Sequence, residues 1–232
     1  MRFFAPALIA LAIAAPAAAA QKETETVDRT ASIGNNGTLK LKNFSGDVRV
    51  TGTGGADVVI HAVRRATRER LDHIKLDIKS SGSSVSIEAN QRDPNWNEKN
   101  DNVVETEFDI KVPYGTQLDL YSFSGKLQVA DVNGSIEAQT FSGNIELDIA
   151  SSDRVPSLDV ETFSGDIHAK VSSSASGRVE FNSFSGDVDS DLPIAMRTTR
   201  RQGRQAVNGD IGSGGDTTLK FKTFSGDLRL LK

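Results

Sequence analysis

The sequence predicts an all-β protein, a β-solenoid of stacked units of about 20 residues, and three observations predict it. The tripeptide Phe-Ser-Gly occurs six times, at Phe44, Phe123, Phe141, Phe163, Phe184 and Phe224. From Phe123 the copies follow at intervals of 18, 22, 21 and 40 residues, a period that marks solenoids and arrays. Apolar and polar residues alternate on both sides of the tripeptide, as in Leu118-x-Leu120 before Phe123 and Leu127-x-Val129 after Gly125. That period of two belongs to half-buried strands. Recurrent glycine and β-branched residues across 116–232 argue against long helices.

Each unit reads as a strand, a glycine corner and a second strand. The corner glycines are Gly46, Gly125, Gly143, Gly165, Gly186 and Gly226. The 40-residue interval reads as two units, with Val207-Asn208-Gly209-Asp210-Ile211 as a degenerate copy between them. Val132-Asn133-Gly134-Ser135-Ile136 reads as a second weak copy, midway between Gly125 and Gly143.

Parity adds a constraint. The apolar positions before each Phe are out of phase with those after the Gly, even for Leu118 and Leu120 but odd for Leu127 and Val129. Side chains of an uninterrupted strand alternate strictly between faces, so every unit reverses its faces once near Phe-Ser-Gly. A reversal before Phe points the rings inward, where burial contributes ~1.5–3 kcal/mol each. A reversal at Ser-Gly-Asp, where glycine suits a corner, turns the preceding Ser or Thr inward. Phe123, Phe141, Phe163, Phe184 and Phe224 then form an outward ladder and a candidate partner-binding surface. Both placements stand at this point.

The alternating strands closed by [Thr/Ser]-Phe-Ser-Gly-[Asp/Asn/Lys] resemble the bacterial β-strand-repeat domain known as "putative adhesin", a family of unknown function. The ending, Gly212-Ser213-Gly214-Gly215 followed by Leu219-Lys220-Phe221-Lys222-Thr223-Phe224-Ser225-Gly226-Asp227-Leu228, is similar to that family's terminal coil. Gly46-Asp47-Val48 and the later Val112-Pro113 fit as well, so the resemblance spans roughly residues 27–232. It implies a stacked β fold and an adhesin-like role, and it brings no catalytic residues with it.

The first twenty residues read as a cleaved secretory signal. Arg2 supplies the positive start, Phe3 to Ala15 the apolar stretch, and Pro16 to Ala20 the small residues before a cut after Ala20. The expected location is therefore the periplasm, the outer cell surface or the extracellular medium. The apolar run is shorter than the ~20 residues of a spanning helix, and no second one follows, so no transmembrane segment is expected after cleavage. The remaining chain, 21–232, carries 26 basic and 31 acidic residues. This acidity disfavours nucleic-acid binding. Cysteine is absent, which removes disulfides, thiolate chemistry and the usual structural zinc sites.

Residues 27–115 read as a less regular β section joined to the repeat section, 116–232, in a single domain. Alternation marks strands at Leu39, Val48, Val58, Ile74, Val85 and Phe108, with a helical turn within Ala66 to Asp72 and a polar loop from Asn90 to Asn102. Residues 191–206 read as a loop broken by Pro193, whose Arg197, Arg200, Arg201 and Arg204 are candidate anion ligands or a charged cover over a strand edge. Arg64, Arg65, Arg68 and Arg70 read in the same two ways.

Chemistry finds little purchase. Asp47, Asp166, Asp187 and Asp227 follow the corner glycine, but Lys126 interrupts the series and Asx at turns usually caps local backbone. His61, His73 and His168 occupy unrelated positions, and no nucleophile elbow or phosphate-binding glycine loop occurs. The sequence predicts a non-catalytic envelope protein without a cofactor, adhesin-like or structural, with an unidentified polymer or protein partner or self-association. The alternative is a β-helix enzyme acting on polysaccharide.

Overall fold

The computed structural model describes residues 21–34, 36–96, 102–149, 151, 156–201 and 204–232. The expected signal segment and its cut after Ala20 lie outside them. The chain opens with β1 (Glu23–Ser32), β2 (Thr38–Ser45), β3 (Val48–Thr53) and β4 (Asp57–Ala66). A single turn α1 (Arg68–His73) leads into β5 (Ile74–Ser81), β6 (Ser84–Arg92) and β7 (Glu105–Pro113). Then come three successive pairs: β8 (Gln117–Ser124) with β9 (Leu127–Ala130), β10 (Ile136–Ser142) with β11 (Ile145–Ile149), and β12 (Leu158–Ser164) with β13 (Ile167–Val171). A fourth pair, β14 (Gly177–Ser185) and β15 (Val188–Ser190), is followed by β16 (Ile194–Arg201), β17 (Arg204–Ile211), β18 (Thr218–Ser225) and β19 (Leu228–Leu231).

Two sheets result. One runs β1-β4-β7-β3-β9-β11-β13-β19-β15 and the other β16-β17-β14-β18-β12-β10-β8-β2-β6-β5. Each Phe-Ser-Gly joins a strand of the second sheet to a strand of the first, forming a coil. Coils pair in parallel and in register, so Leu39, Leu118, Ile136, Leu158, Leu219 and Val179 share one row. Period-two burial follows directly: β10 alternates buried and partly exposed from Ile136 to Thr140, and β11 from Ile145 to Ile149. The core lies between the sheets and is almost entirely aliphatic, with Phe181 and Phe221 its largest fully buried side chains.

The coils do not stack in chain order. β18 lies between β12 and β14, and β19 lies between β13 and β15. The last coil of the chain is therefore inserted between two earlier ones. Charge favours this order. Lys220 and Lys222 pair with Asp159 and Glu161 at 2.7 and 2.6 Å. On the other side Lys220 stands in register with Glu180. Stacked in sequence order, Asp159 would instead face Glu180, and like charges directly opposite are destabilising.

Three sequence expectations are corrected here. Residues 191–206 are not a loop: β16 and β17 pair antiparallel from Ile194↔Ile211 to Arg201↔Arg204, and β17 pairs antiparallel with β14. Pro193 immediately precedes β16 rather than breaking it, at a position where the missing N–H costs no ladder bond. Arg197, Arg200 and Arg201 thus lie on β16 and Arg204 on β17, so the candidate anion-binding loop is a β-hairpin; their side chains lie outside the described residues. Second, Val207 to Ile211 is not a degenerate coil but part of β17, which covers β14 while Val207 and Ile211 bury into the core. Third, Val132 to Ser135 is the turn at the opposite end of a coil, entered through Asp131 at φ 57°.

The strands read at Leu39, Val48, Val58, Ile74, Val85 and Phe108 are β2 to β7, and the helical turn is α1, whereas β1 had no counterpart in the alternation. Arg64 is buried and bonds Glu25 and the Ile74 carbonyl. Arg65 bonds Glu107 at 2.5 Å, and Arg68 pairs with Asp72 at 3.0 Å. Arg64 and Arg65 therefore tie β4 to β1, β5 and β7, and Arg68 also reaches Glu23 of β1 at 3.8 Å from α1.

Candidate functional site: an outward phenylalanine ladder

The corner decides which way the rings face. Asn43, Ser122, Thr140, Thr162, Ser183 and Thr223, each preceding a Phe, are all buried. The reversal therefore falls at Ser-Gly-Asx, and the phenylalanines point out. Glycine is required there because consecutive corners touch. At Gly125 the backbone has φ +124°, and a Cβ would lie 2.3 Å from the Gly46 carbonyl oxygen.

Beneath the rings runs a row of hydroxyls. Thr162 Oγ1 donates to the Gly143 carbonyl at 3.2 Å, and Asn43 closes the row by donating to the Gly46 and Thr106 carbonyls at 2.9 and 3.0 Å. Among the described residues Thr140, Ser183 and Thr223 offer buried hydroxyls that no protein group meets. A buried unpaired polar group costs about 1–3 kcal/mol. Thr140→Val keeps the shape and removes that hydroxyl, so it is expected to leave stability unchanged or raise it by up to about 1–3 kcal/mol; a urea unfolding midpoint below that of the parent would contradict this.

Above the hydroxyls the rings form one column in the order Phe44, Phe123, Phe141, Phe163, Phe224, Phe184. Successive centroids lie 4.8, 5.0, 4.9, 4.8 and 4.9 Å apart, with interplanar angles from 1° to 13°. Five of the rings are 42–52% exposed and Phe123 is half-buried. The column is thus about 24 Å long, set by the strand spacing. Parallel neighbouring rings cover one another's faces, so the column meets solvent largely with ring edges. All five phenylalanines expected in the ladder are in it. Phe44 is the addition: its Phe-Ser-Gly stands in the sequence, but its coil falls in the less regular first section. The exchange of Phe184 and Phe224 along the column left no local signal in the sequence.

On the far side of the corner the Asx residues form their own row. Asp47 Oδ1 accepts from the Lys126 N–H, Asn144 Oδ1 from Asp166, Asp166 Oδ1 from Asp227, and Asp227 Oδ1 from Asp187, at 2.9–3.0 Å. These side chains serve as pegs from one coil to the next. No cluster of three His, Asp or Glu placed to hold a metal ion occurs among the described residues.

The outer faces of both sheets carry mixed charges. On one, Asp119, Glu137 and Asp159 stand side by side on adjacent strands and border a shallow groove of about 270 Å³. Lys40 approaches Asp119 at 3.8 Å, the Gln139 amide donates to Glu137 at 3.0 Å, and Lys220 holds Asp159. The hydrogen bond to Asp159 raises the Lys220 ammonium above its ordinary pKa against a small desolvation. On the other, Glu146 lines a groove of about 330 Å³ beside His168 and Arg49. Burial pushes its carboxyl up, but hydrogen bonds from Lys126 and Gln128 outweigh that and hold it below the usual range. His61 contacts Asp28 at 2.7 Å and His73 stacks on Trp96 at 5.3 Å, so the three histidines stay apart.

The family model Toastrack DUF4097 matches residues 34–231. The chain belongs to the Toastrack family DUF4097. No curated protein matches it. A "putative cell adhesion protein" of Clostridium sporogenes has a similar structure, with a TM-score of 0.62 and 11% identity over 89% of this chain and 99% of that one. That likeness shows the shared fold. A "putative adhesin" of Bacteroides fragilis aligns with TM-score 0.31 and 8% identity over 89% and 97% of the two chains. A "putative lipid binding protein" of Parabacteroides distasonis aligns with TM-score 0.29 and 9% identity over 90% and 97%. In this Toastrack chain the column of rings crosses all six Phe-Ser-Gly corners.

Proposed function

We propose that this Toastrack protein is an exported, non-catalytic β-solenoid of the cell envelope that uses its phenylalanine column to dock a protein segment carrying apolar or aromatic side chains. The observation that carries the reading is the column itself: six aligned rings over about 24 Å, five of them 42–52% exposed. Folded proteins seldom leave contiguous apolar surface uncovered unless it binds something. Ring edges rather than faces are offered, and edges pack well against aliphatic groups and the faces of other aromatics. Sugars stack on ring faces, which here cover one another, so a protein segment fits better than a glycan.

The double variant Phe141→Ser, Phe163→Ser breaks three ring pairs at about 0.5–1.5 kcal/mol each. It is expected to remain folded at 25 °C by circular dichroism, with a lowered melting temperature, and to stop retaining its partner from envelope extracts. Undiminished retention by the folded variant would remove the ladder from the binding surface. The polysaccharide-enzyme alternative has one feature in its favour, the register-aligned Asp119, Glu137 and Asp159. Hydrolysis of an envelope polysaccharide that disappears in Glu137→Gln would replace the binding reading.

A further inference from the structure

The inserted coil is held by features that any copy of it would satisfy. β18 is in register with β12 from Leu219↔Leu158 to Ser225↔Ser164, and with β14 from Thr218↔Arg178 to Ser225↔Ser185. Phe224 stacks between Phe163 and Phe184, and Asp227 pegs between Asp166 and Asp187. Lys220 and Lys222 lie against Asp159 and Glu161. The slot between β12–β13 and β14–β15 is thus a two-sided mould for residues 218–231. It does not close well on itself, because Asp159 would then face Glu180.

The segment reaches the slot through a glycine-rich strap. β17 lies on one side of β14 and β18 on the other, so residues 212–217 pass around the start of β14. Gly212, Gly214 and Gly215 have φ of +58°, +72° and +139°, and a Cβ on Gly215 would have no neighbour within 4 Å. Among the described residues the strap is held by Gly214 N–H to Ile211 O at 3.1 Å, Ser213 N–H and Oγ to Ser176 Oγ at 3.2 Å, and Arg178 N–H to Thr217 O at 2.8 Å, with Gly212 packed against Ala175 and Ser176. A glycine strap on a terminal element that fills an internal gap has the geometry of segment exchange between identical chains.

From this we infer that the C-terminal coil, 218–231, is exchangeable: the slot of one molecule accepts the coil of a second copy, giving a reciprocal dimer. Each slot keeps every contact it makes in the monomer, and the cost of exchange falls on the strap. The exchanged dimer tethers two phenylalanine columns, so it would present the proposed docking surface twice.

The chain lacks cysteine, which makes a disulfide test direct. Ser164 and Ser225 are register neighbours on adjacent parallel strands, about 4.8 Å apart and within disulfide reach. One full-length batch carries Ser164→Cys and a second, of different tag mass, carries Ser225→Cys. The batches are mixed, unfolded in urea, refolded at high concentration and oxidised. A covalent species of twice the monomer mass containing both tags is expected, and Ser164→Cys with Ser225→Cys in one diluted chain should close within the monomer. Absence of the mixed species, while the intramolecular bond forms, overturns the inference. In a second test, residues 212–216 are deleted. The two Cα steps left, from Ile211 through Thr217 to Thr218, reach at most ~7.6 Å, less than the ~9.6 Å of two strand spacings that separate β17 from β18 across β14. A folded deletion variant should therefore be a dimer by light scattering, and a folded monomer counts against exchange. If the variant does not fold, the cross-linking result decides. Partner retention by the ladder is not read in either test, so its failure and a failure of exchange remain separate.

Discussion

Gly226→Val is expected to abolish cooperative folding, or to leave a protein that melts many degrees below the parent. Gly226 sits at the corner of the inserted coil with φ +150°, and a Cβ there would lie 2.0 Å from the Gly165 carbonyl oxygen and 2.7 Å from its carbon. The obstacle is backbone, so no side chain can swing aside. On the other face, a Cβ on Gly186 would meet the Gly226 carbonyl oxygen at 1.9 Å, so the inserted coil cannot retreat from Gly165 without approaching Gly186. An unfavourable backbone conformation costs about 1–3 kcal/mol and overpacking about as much again. Together they consume a large part of the roughly 5–15 kcal/mol that holds a domain folded. The matched control is Gly54→Ala, where the added Cβ meets only the Tyr114 ring at 3.8 Å. Urea unfolding of both variants checks the claim: near-parental stability for Gly226→Val would mean that the corners do not need their close approach.

Much of this corner is legible in the sequence. Parity along Leu118, Leu120, Leu127 and Val129 required one reversal of faces per coil, because strict alternation leaves a sequence no other way to shift phase. Whether that reversal lay before Phe or after Ser was not legible. A phenylalanine gains more from burial than a threonine does, so local hydrophobicity pointed the wrong way at this one position. What turns the rings out is a contact between coils: Gly125 against Gly46, repeated up the stack. The chain must turn at the glycine, and the residue before Phe is thereby committed to the interior.

Elements outside the repeat show the same division. β1 gave no alternation worth reading, since only Val27 and Ala31 in Glu23–Ser32 are apolar and both are only partly buried. It is a strand because β4 offers it a full antiparallel ladder from Glu23↔Ala66 to Ser32↔Asp57, a tertiary cause with no local trace. The β16–β17 hairpin was hidden by its own chemistry: Pro193 and the arginines look like a loop, yet the proline stands one residue before the strand. Insertion of the last coil was the least legible feature. Phe-Ser-Gly marks membership of the stack and says nothing of rank. Only the lysines, set against acidic neighbours on β12 and β14, distinguish the slot, and pairing partners must be known before that complementarity can be seen.

A chain ending at Ile211 is expected to be unable to hold the fold that the other coils share. Removal of 212–232 takes Leu219, Phe221, Leu228 and Leu230, all at 0% exposure. At ~1.5–3 kcal/mol for each side chain the direct loss is about 6–12 kcal/mol, of the same order as the whole stability of a domain. The loss also strikes in the middle rather than at an end. Without β18 and β19, the edges of β12–β13 and β14–β15 both lie open, and Phe163 and Phe184 each lose the ring between them. Closing the gap directly would set Asp159 against Glu180. Removing the chain up to Ser32 provides the comparison: β1 is an outer strand paired on one side and largely exposed. Far-UV circular dichroism and thermal unfolding should therefore separate the two truncations, with a cooperative melt for the N-terminal one and none for the C-terminal one. A cooperative melt from the chain ending at Ile211, within a few degrees of the parent, would show that β14 docks on β12 despite the charges, and that the last coil decorates the stack instead of completing it.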